Sequence, residues 1–391
     1  MKYNFDKVID RSGTSAEKVE GLKHIWGRTD LIPLWVADMD FATAPFVTDA
    51  IRKRCENEVL GYTGKPDSYY NAIINWVKQR YDLIVTKEVI NFVPGIVPGI
   101  DMAMNCFTQK GDKVMIQPPV YHPFAWVTTR NERTLVINPL KWENGMYRMD
   151  LDAFREQIKG CKLFILCNPH NPGGVVWTEA ELRAIADICY DEKVLVFSDE
   201  IHADLTLPPH THRPFATVSE KARMNSVTFM SPSKAFNMPG LSASHALIFN
   251  EDLRKRFRIY MDAGELDMGH VFAFLSVEAA YSHGTEWLDQ CLAYIQGNID
   301  FVDEFLKKHA PKIKAIRPEA SYLVWLDCRE LELSQKDLNE FFVDKAHLAL
   351  NDGEMFGKEG IGFMRLNVAS PRCIIEKAMK QLADAYQLYI K

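Results

Sequence analysis

Short apolar runs, separated by helical patterns, recur along the chain from about residue 88 to residue 250. Most of these runs are continuously apolar and do not alternate with polar positions, which is typical of strands whose two faces are both covered by helices. The pattern therefore predicts an α/β fold with a doubly wound, mostly parallel sheet of seven strands. The predicted strands are Val89 to Val93, Lys113 to Gln117, Thr134 to Asn138, Lys162 to Cys167, Val194 to Ser198, Ser226 to Met230 and His245 to Phe249.

Two stretches have the residue spacing of helices. Thr178 followed by Glu181 forms a capping-box signature, and the apolar residues that follow predict a helix between two strands. A longer amphipathic pattern, from about Thr285 to His309, predicts a helix that spans two lobes. Two lobes are also expected because 391 residues are too many for one small core.

The C-terminal part of the sequence predicts a small α+β domain, which the two chain ends are expected to form together. Tyr322 to Leu326 and Phe363 to Val368 are strand-like, and Ser370 followed by Pro371 predicts the N-cap and first position of a final helix. The predicted divisions are an N-terminal segment over residues 1–50 that joins the small domain, a large domain over residues 51–284 that contains the predicted sheet, and a small C-terminal domain over residues 285–391.

Composition and charge narrow the class of protein. A formal net charge of -6, with no block of like charge, argues against nucleic acid or an anionic membrane as a partner. The N-terminus lacks the apolar core of a signal peptide, and no run approaches the roughly 20 apolar residues of a membrane span, so a cytoplasmic protein is expected. The eight cysteines show no C-x-x-C pairing and no metal-ligand spacing, which predicts free thiols and no metal site.

A lysine follows one of the predicted strands in a setting that suits chemistry. Lys234 comes directly after Ser231 and Ser233, at the carboxyl edge where open α/β sheets place their ligands. An amine beside small groups that can bind an anion is able to hold an aldehyde cofactor as a Schiff base. A solvated loop lysine is the alternative interpretation.

An aspartate ends the preceding strand. The carboxylate of Asp199 is costly to bury unless it is paired with a cation or hydrogen-bonded. A protonated pyridine nitrogen is such a cation, and its protonation lets a pyridoxal ring accept electrons from a carbanion. A helix N-cap or a structural salt bridge is the alternative.

Other candidate residues follow further strands of the same sheet. Asn171 can donate its amide to a phenolate oxygen, and Tyr121 can stack on an aromatic ring. Gly95 allows close backbone approach, and the N–H groups of Ile96 and Val97 at a helix N-terminus favour a phosphate. Each has a structural alternative, in backbone geometry or core packing, but their common position at strand ends favours one shared site.

This order and spacing resembles that of the fold-type I pyridoxal 5'-phosphate (PLP) enzymes, the aminotransferase class I/II superfamily, over nearly the whole chain. The lysine of that family's S-x-S-K string forms the internal aldimine, which corresponds here to Lys234. The resemblance assigns Asp199 to the ring nitrogen and Asn171 to the ring hydroxyl. The groups that it assigns to the phosphate are Ser231, Ser233 and the amides of Ile96 and Val97.

The resemblance also implies a partner and a substrate contact. Tyr62 matches the family tyrosine that reaches the phosphate from a neighbouring subunit, which implies a homodimer with shared sites. Arg365 lies in a string similar to the family's G-x-x-R-L-N strand, whose arginine binds the substrate carboxylate. The planar guanidinium suits this role because it pairs with both carboxylate oxygens. A structural ion pair is the alternative.

Departures from the aminotransferase pattern indicate which branch of the superfamily the sequence resembles most. His202 replaces the common tyrosine and is expected to serve the same ring oxygen, and Ser242 stands where a phosphate-binding arginine is usual. The string Trp35 to Phe41, together with Ser198 to His202 and Ser231 to Asn237, is similar to the C–S lyase branch: cystathionine β-lyase, cysteine desulfhydrase and cystalysin-like enzymes.

The resemblance implies an α,β-elimination on an amino acid of the L-cystathionine or L-cysteine type, which gives a thiol, pyruvate and ammonia. A PLP-dependent aminotransferase, which uses the same residues, is one alternative. A PLP-binding sensor or interaction protein with little turnover is another. The expected catalytic residues are Lys234, Asp199 and Tyr121, and the expected substrate-binding residues are Arg365, Ala37 and Asn171.

Overall fold

The computed structural model describes residues 3–389 of the chain and contains, within these residues, fifteen strands and thirteen α-helices. Met1, Lys2, Ile390 and Lys391, at the outer limits of the predicted domains, lie outside the described residues. The strands are β1 (Ile32–Pro33), β2 (Ile90–Val93), β3 (Lys113–Ile116), β4 (Thr134–Ile137), β5 (Lys141–Glu143), β6 (Met146–Arg148), β7 (Cys161–Cys167), β8 (Leu195–Asp199), β9 (Ser226–Met230), β10 (Ser244–Leu247), β11 (Lys314–Ile316), β12 (Leu323–Asp327), β13 (Leu348–Ala349), β14 (Asn351–Asp352) and β15 (Phe363–Asn367). The α-helices are α1 (Glu17–Trp26), α2 (Pro45–Cys55), α3 (Asp67–Tyr81), α4 (Ile96–Phe107), α5 (Pro123–Arg130), α6 (Leu151–Gln157), α7 (Glu179–Asp191), α8 (Glu220–Met224), α9 (Glu251–Ala263), α10 (Val271–His283), α11 (Thr285–His309), α12 (Gln335–Glu340) and α13 (Arg372–Tyr389).

Seven of the strands form the central sheet, in the spatial order β2-β10-β9-β8-β7-β3-β4. Strand β10 runs antiparallel to both neighbours, and every other pair in this sheet is parallel. Strands β2, β9 and β10 are buried along their whole length although each also contains polar residues, whereas β4 at the edge is partly exposed. The predicted α/β fold is confirmed, and all seven predicted strands lie in the sheet to within two residues at each end.

Both helices that the sequence predicts from capping and spacing are confirmed. Helix α7 begins after Thr178, whose hydroxyl accepts the Glu181 N–H while the Glu181 carboxylate accepts the Thr178 N–H. Helix α11 has the predicted limits and buries Trp287, Cys291 and Ile295. These three side chains belong to an apolar core that also contains residues from near both chain ends. The long helix therefore packs in the same core as residues from near both chain ends.

Four strands near the C-terminus form a second, antiparallel sheet in the order β11-β12-β15-β14. The predicted start of the final helix is wrong: α13 begins at Arg372, after Pro371, and the buried Ser370 hydroxyl has no hydrogen-bond partner among residues 3–389. The Arg372 N–H donates instead to the Tyr294 hydroxyl of α11, at 2.7 Å. A neighbouring helix thus satisfies an N–H group that a capping side chain often binds.

Strand β1 pairs in parallel with β13, so the N-terminal segment and the C-terminal region share one layer. This pairing supports the proposal that residues 1–50 join residues 285–391 in the smaller domain, with residues 51–284 as the large domain. Across residues 3–389, no helix combines the length and hydrophobicity that crossing a bilayer requires. The same residues contain no group of three or more side chains placed to hold a metal ion.

Candidate active site

A cavity of about 210 Å³ opens at the carboxyl ends of β7, β8 and β9, where the segments after these strands meet the turn before α4. In open α/β sheets this edge is the usual place for a ligand. The cavity brings together most of the residues that the sequence singles out. Those that line it are Ala37, Gly95, Ile96, Val97, Tyr121, Asn171, Asp199, His202, Ser233, Lys234 and Ser242.

Lys234 lies in the turn after β9 and lines the cavity, so it is not a solvated loop lysine. Its amine donates a hydrogen bond to the Ala37 carbonyl, at 2.6 Å. Burial and the nearby Arg365 guanidinium lower the pKa of Lys234 to about 8, while the Asp38 and Asp199 carboxylates act in the opposite direction. At mildly alkaline pH, a large fraction of the amine is therefore uncharged, as a nucleophile or a general base requires.

Asp199 ends β8, and the residue is only 4% exposed. Among residues 3–389, its carboxylate accepts one hydrogen bond, from the Ile201 N–H at 3.1 Å, and forms no ion pair. Burial raises the pKa of Asp199 to about 7. A carboxylate with so little compensation from the protein suits a cation that enters the cavity. Neither a salt bridge nor a helix N-cap, the two structural alternatives, is present among the described residues.

The N-terminus of α4 lines the cavity with Gly95, Ile96 and Val97. Gly95, the N-cap residue, offers no capping side chain, and its φ of 154° is one that other residues rarely adopt. The N–H groups of Ile96 and Val97 belong to the first helical turn and have no partner within the helix. Because this end of a helix is electropositive, the arrangement suits an anion.

The predicted anion-binding serines occupy different positions. Ser233 lines the cavity, whereas Ser231 lies behind it, with its hydroxyl donating to the Ala243 carbonyl (2.7 Å) and accepting the Ser233 N–H (3.1 Å). Direct contact of Ser231 with an anion is therefore not supported, because its hydroxyl supports the turn. Ser242, in the left-handed conformation with φ 46°, lines the cavity where the resemblance leads one to expect an arginine.

Arg365, in β15, reaches the cavity through Asn171. The Nη1 group donates to Oδ1 of Asn171 (3.1 Å), and Nη2 donates to Oδ1 of Asn351 (2.5 Å) and to the Trp35 carbonyl (3.2 Å). Burial lowers the pKa of Arg365 to about 10, so the guanidinium stays charged at neutral pH. Within residues 3–389 it pairs with no carboxylate, and its buried Nε has no partner. The structural ion pair is therefore absent there, and the charge suits an incoming carboxylate.

His202 and Tyr121 are the two aromatic side chains of the cavity that the sequence predicts. Burial lowers the pKa of His202 to about 3, so the imidazole is neutral, and its Nδ1 has no hydrogen-bond partner in the described part of the chain. Burial also raises the pKa of Tyr121, which keeps the phenol protonated. The cavity thus offers a ring that can stack and a neutral imidazole that can bind an oxygen.

Tyr62 is not brought to this cavity. It lies in the segment between α2 and α3, and its side chain is 98% exposed. Its contact with the site of a neighbouring subunit stays a prediction.

Three residues at or near the site were not predicted. The Tyr322 hydroxyl donates to the Ala37 carbonyl at 2.9 Å, and Asn351 orients Arg365. The sequence holds no local signal for these two contacts. Tyr322 meets Ala37 only when the C-terminal region packs against the N-terminal segment, and Asn351 meets Arg365 through the pairing of β14 with β15. Cys167 lines the cavity opposite Asp199 in the register of β7 and β8, which alignment of the two predicted strands reveals.

Comparison with known proteins identifies the family. Residues 29–382 match the family model described as aminotransferase class I and II. Cystathionine beta-lyase PatB of Bacillus subtilis (strain 168) is 38% identical over 384 residues, which cover 98% of this chain and 99% of that protein. The crystal structure of cystalysin from Treponema denticola, which contains PLP, has a TM-score of 0.96 and 33% identity and covers 100% of both chains. The PLP-bound C–S lyase from Staphylococcus hominis has a TM-score of 0.91 and 35% identity over 98% of both chains. The chain belongs to the aminotransferase class I and II family.

Proposed function

We propose that the protein is a PLP-dependent C–S β-lyase that converts an amino acid of the L-cystathionine or L-cysteine type to a thiol, pyruvate and ammonia. One observation carries the proposal: a reactive amine, Lys234, and a buried carboxylate without an ion pair, Asp199, line the same cavity. The choice of a lyase within the family is supported by the relatives, of which one is named a cystathionine beta-lyase and another a C–S lyase.

The side chains around the cavity fit PLP. The open N-terminus of α4 suits its phosphate, and the Asp199 carboxylate suits a protonated ring nitrogen. The Asn171 amide and the unpartnered Nδ1 of His202 suit the ring oxygen, and the Lys234 amine suits the aldehyde. When bound, PLP supplies an electron-accepting ring that delocalises the negative charge left at the substrate's Cα.

The protein's own groups bind the substrate and move its proton. Arg365 binds the α-carboxylate through its planar N–H groups and thereby fixes the orientation of Cα. The Lys234 amine, whose pKa burial lowers, accepts the proton from Cα as a general base. The Asp199 carboxylate would hold the protonated ring nitrogen of bound PLP through its negative charge.

Elimination then breaks the bond between Cβ and sulfur. The electron pair of the former Cα–H bond forms a double bond between Cα and Cβ, and the Cβ–S pair leaves with sulfur as a thiolate. Because a thiol has a pKa of about 8.5, its anion is a far better leaving group than hydroxide or an amide ion. The aminoacrylate released hydrolyses to pyruvate and ammonia.

Transamination is the second candidate, since the family includes aminotransferases. It uses the same residues but leaves the bond between Cβ and sulfur intact. Incubation of the PLP-loaded protein with L-cystathionine or L-cysteine, with pyruvate assayed against keto-acid-dependent amino transfer, separates the two reactions. Pyruvate release is expected; amino transfer without pyruvate rejects the lyase, and bound cofactor with no turnover of any amino acid favours a sensor.

The role of Lys234 is tested by spectroscopy. Lys234→Ala is expected to lose the absorbance of the covalently bound cofactor, because no other lysine lines the cavity within residues 3–389. Lys53→Ala, at an exposed lysine of α2, is the matched control and is expected to keep the spectrum. An unchanged spectrum in Lys234→Ala rejects the assignment.

A homodimer with shared active sites is also part of the proposal. Val59, Leu60 and Tyr62 lie close together in sequence and are 72%, 58% and 98% exposed, and exposed apolar groups of this kind suit an interface. Light scattering is expected to give twice the chain mass of 44.8 kDa. Tyr62→Ala is expected to weaken PLP binding if its ring reaches the partner's site. A cytoplasmic location stays a prediction from the sequence.

A further inference from the structure

The segment from Trp35 to Phe41, called here the 35–41 segment, links Lys234 to Arg365. Side chains from distant parts of the chain hold its carbonyl groups. These bonds run from Arg365 to Trp35 (3.2 Å), from Asn367 to Val36 and Asp38 (2.6 Å each), from Lys234 and Tyr322 to Ala37 (2.6 and 2.9 Å), and from Asn237 to Met39 and Phe41 (3.0 and 2.7 Å). The two basic side chains that the proposed function uses, Lys234 and Arg365, therefore donate to carbonyls only two residues apart.

Four charged side chains, called here the charge cluster, hold the same segment: Arg11, Lys18, Asp38 and Asp40. The Lys18 side chain of α1 is 0% exposed; its amine lies 2.8 Å from the Asp40 carboxylate and 3.5 Å from that of Asp38, and it also donates to the Asp38 carbonyl at 3.4 Å. Arg11 pairs with Asp38 at 2.6 Å and with Asp40 at 3.2 Å. Two cations and two anions sum to zero charge, a balance that favours the complete burial of a lysine.

We propose that Lys18 and Asp38 are positioning residues for Lys234. The charge cluster holds the Ala37 carbonyl against the Lys234 amine, and the balance of charge within the cluster controls the protonation of that amine. This inference rests on the proposed function, in which Lys234 is the reactive amine.

Electrostatics connects the charge cluster to the amine. Asp38 directly follows Ala37, and its carboxylate raises the pKa of Lys234 against the lowering by burial and by Arg365. Among the other groups that face the amine, Asp199 acts in the same direction as Asp38. His202 and Tyr322 carry no charge, since burial lowers the pKa of the imidazole and raises that of the phenol.

Removal of one charge from the charge cluster should therefore shift the pKa of the Lys234 amine, in a direction set by the sign of the charge removed. Without Lys18 the cluster carries a net negative charge, which favours the ammonium form of Lys234. Without the Asp38 carboxylate it carries a net positive charge, which favours the neutral amine. At an effective dielectric constant of about 20, a unit charge at roughly 10 Å changes a pKa by about one unit.

The experiment measures the titration of Lys234 directly. The full-length protein, stripped of PLP, is labelled with acetic anhydride across a pH series, and mass spectrometry gives the labelled fraction of Lys234. Lys18→Met is expected to raise the midpoint by about one pH unit and Asp38→Asn to lower it by a similar amount, while the double variant returns towards the wild type. A merely structural role would not give opposite signs that cancel.

Further variants keep the test decisive if Lys18→Met does not fold. Arg11→Gln, at a partly exposed side chain, also removes a cation and is expected to raise the midpoint. Lys53→Met, on α2, removes a lysine outside the charge cluster and is expected to leave it unchanged. Midpoints that do not move, or that move in the same direction in Arg11→Gln and Asp38→Asn, overturn the proposal.

The pH profile of the PLP-loaded enzyme gives a second measurement. The acid limb of pyruvate formation is expected to follow the labelling midpoint in each variant, because Lys234 must be neutral to take the proton from Cα. If the wild type forms no pyruvate, the proposed function fails. The labelling midpoints still test the charge cluster in that case, because they need no turnover.

Discussion

Asp199→Asn tests whether the buried carboxylate destabilises the folded protein as long as no cofactor is bound. The amide keeps the shape of the side chain and an oxygen for the Ile201 N–H, but it removes the charge. Burial raises the pKa of Asp199 from its usual value of about 3.9 to about 7. A group with a raised folded pKa contributes stability that is fully present below about pH 3.9 and is lost as the pH rises to about 7.

The expected size follows from this shift. About three pKa units at about 1.36 kcal/mol each correspond to a loss of stability of roughly 4 kcal/mol at pH 8, of which roughly a third is already lost at pH 5. In urea unfolding of the PLP-free protein, the free energy of unfolding of Asp199→Asn should therefore exceed that of the wild type by up to these amounts. Addition of PLP should reverse the order of stability of the two proteins, because only the wild-type carboxylate pairs with the protonated ring nitrogen.

A matched control separates burial from the loss of a charge in general. Asp262→Asn, at an exposed carboxylate of α9, should change the free energy of unfolding little at either pH. If Asp199→Asn is less stable than the wild type at pH 8, or if the difference between the two proteins is the same at pH 5 and pH 8, the reasoning about the buried carboxylate is refuted.

Three further outcomes are expected. The rate at which the PLP-free protein recombines with PLP should rise as the pH passes through about 8 and then level off, because the neutral amine of Lys234 is the reacting form; a flat stopped-flow profile contradicts this. Asn351→Leu should raise the KM for L-cystathionine by roughly ten- to a hundredfold with a smaller effect on kcat, because a charged hydrogen bond that orients Arg365 is worth roughly 1.5–3 kcal/mol; an unchanged KM contradicts it. Gly99→Ala should destabilise the protein by about 1–3 kcal/mol in urea unfolding, because its Cβ would lie 2.9 Å from Cγ2 of Val93, and full stability would contradict this packing.

The sheet could be predicted because most of its strands are buried on both faces and therefore stand out as largely apolar runs. The hairpin of β5 and β6 was not predicted, although its Asn144-Gly145 turn is a strong local signal, with both residues at positive φ. Its strands are short and partly exposed, so no apolar run marks them. The start of α13 was missed for another reason: Tyr294, on a different helix, binds the first N–H group.

The candidate site could be predicted where single residues follow single strands, as Lys234 and Asp199 do. The sequence does not predict contacts between distant segments. Lys18 is a case in point: its helical neighbours are ordinary, and only the folded chain shows that this lysine is fully buried. The same holds for Tyr322, which meets Ala37 across 285 positions of sequence.

One contact of the fold bears on the order in which the site can form: Asn367, which is synthesised late, binds the Val36 and Asp38 carbonyls. A nascent chain displays Lys234 and Asp199 well before β15 is translated. Until Arg365 and Asn367 have emerged from the ribosome, the chain lacks the arginine that is proposed to bind the substrate and the asparagine that holds the 35–41 segment. The site can therefore be complete only after β15 has been synthesised and has paired with its neighbouring strands.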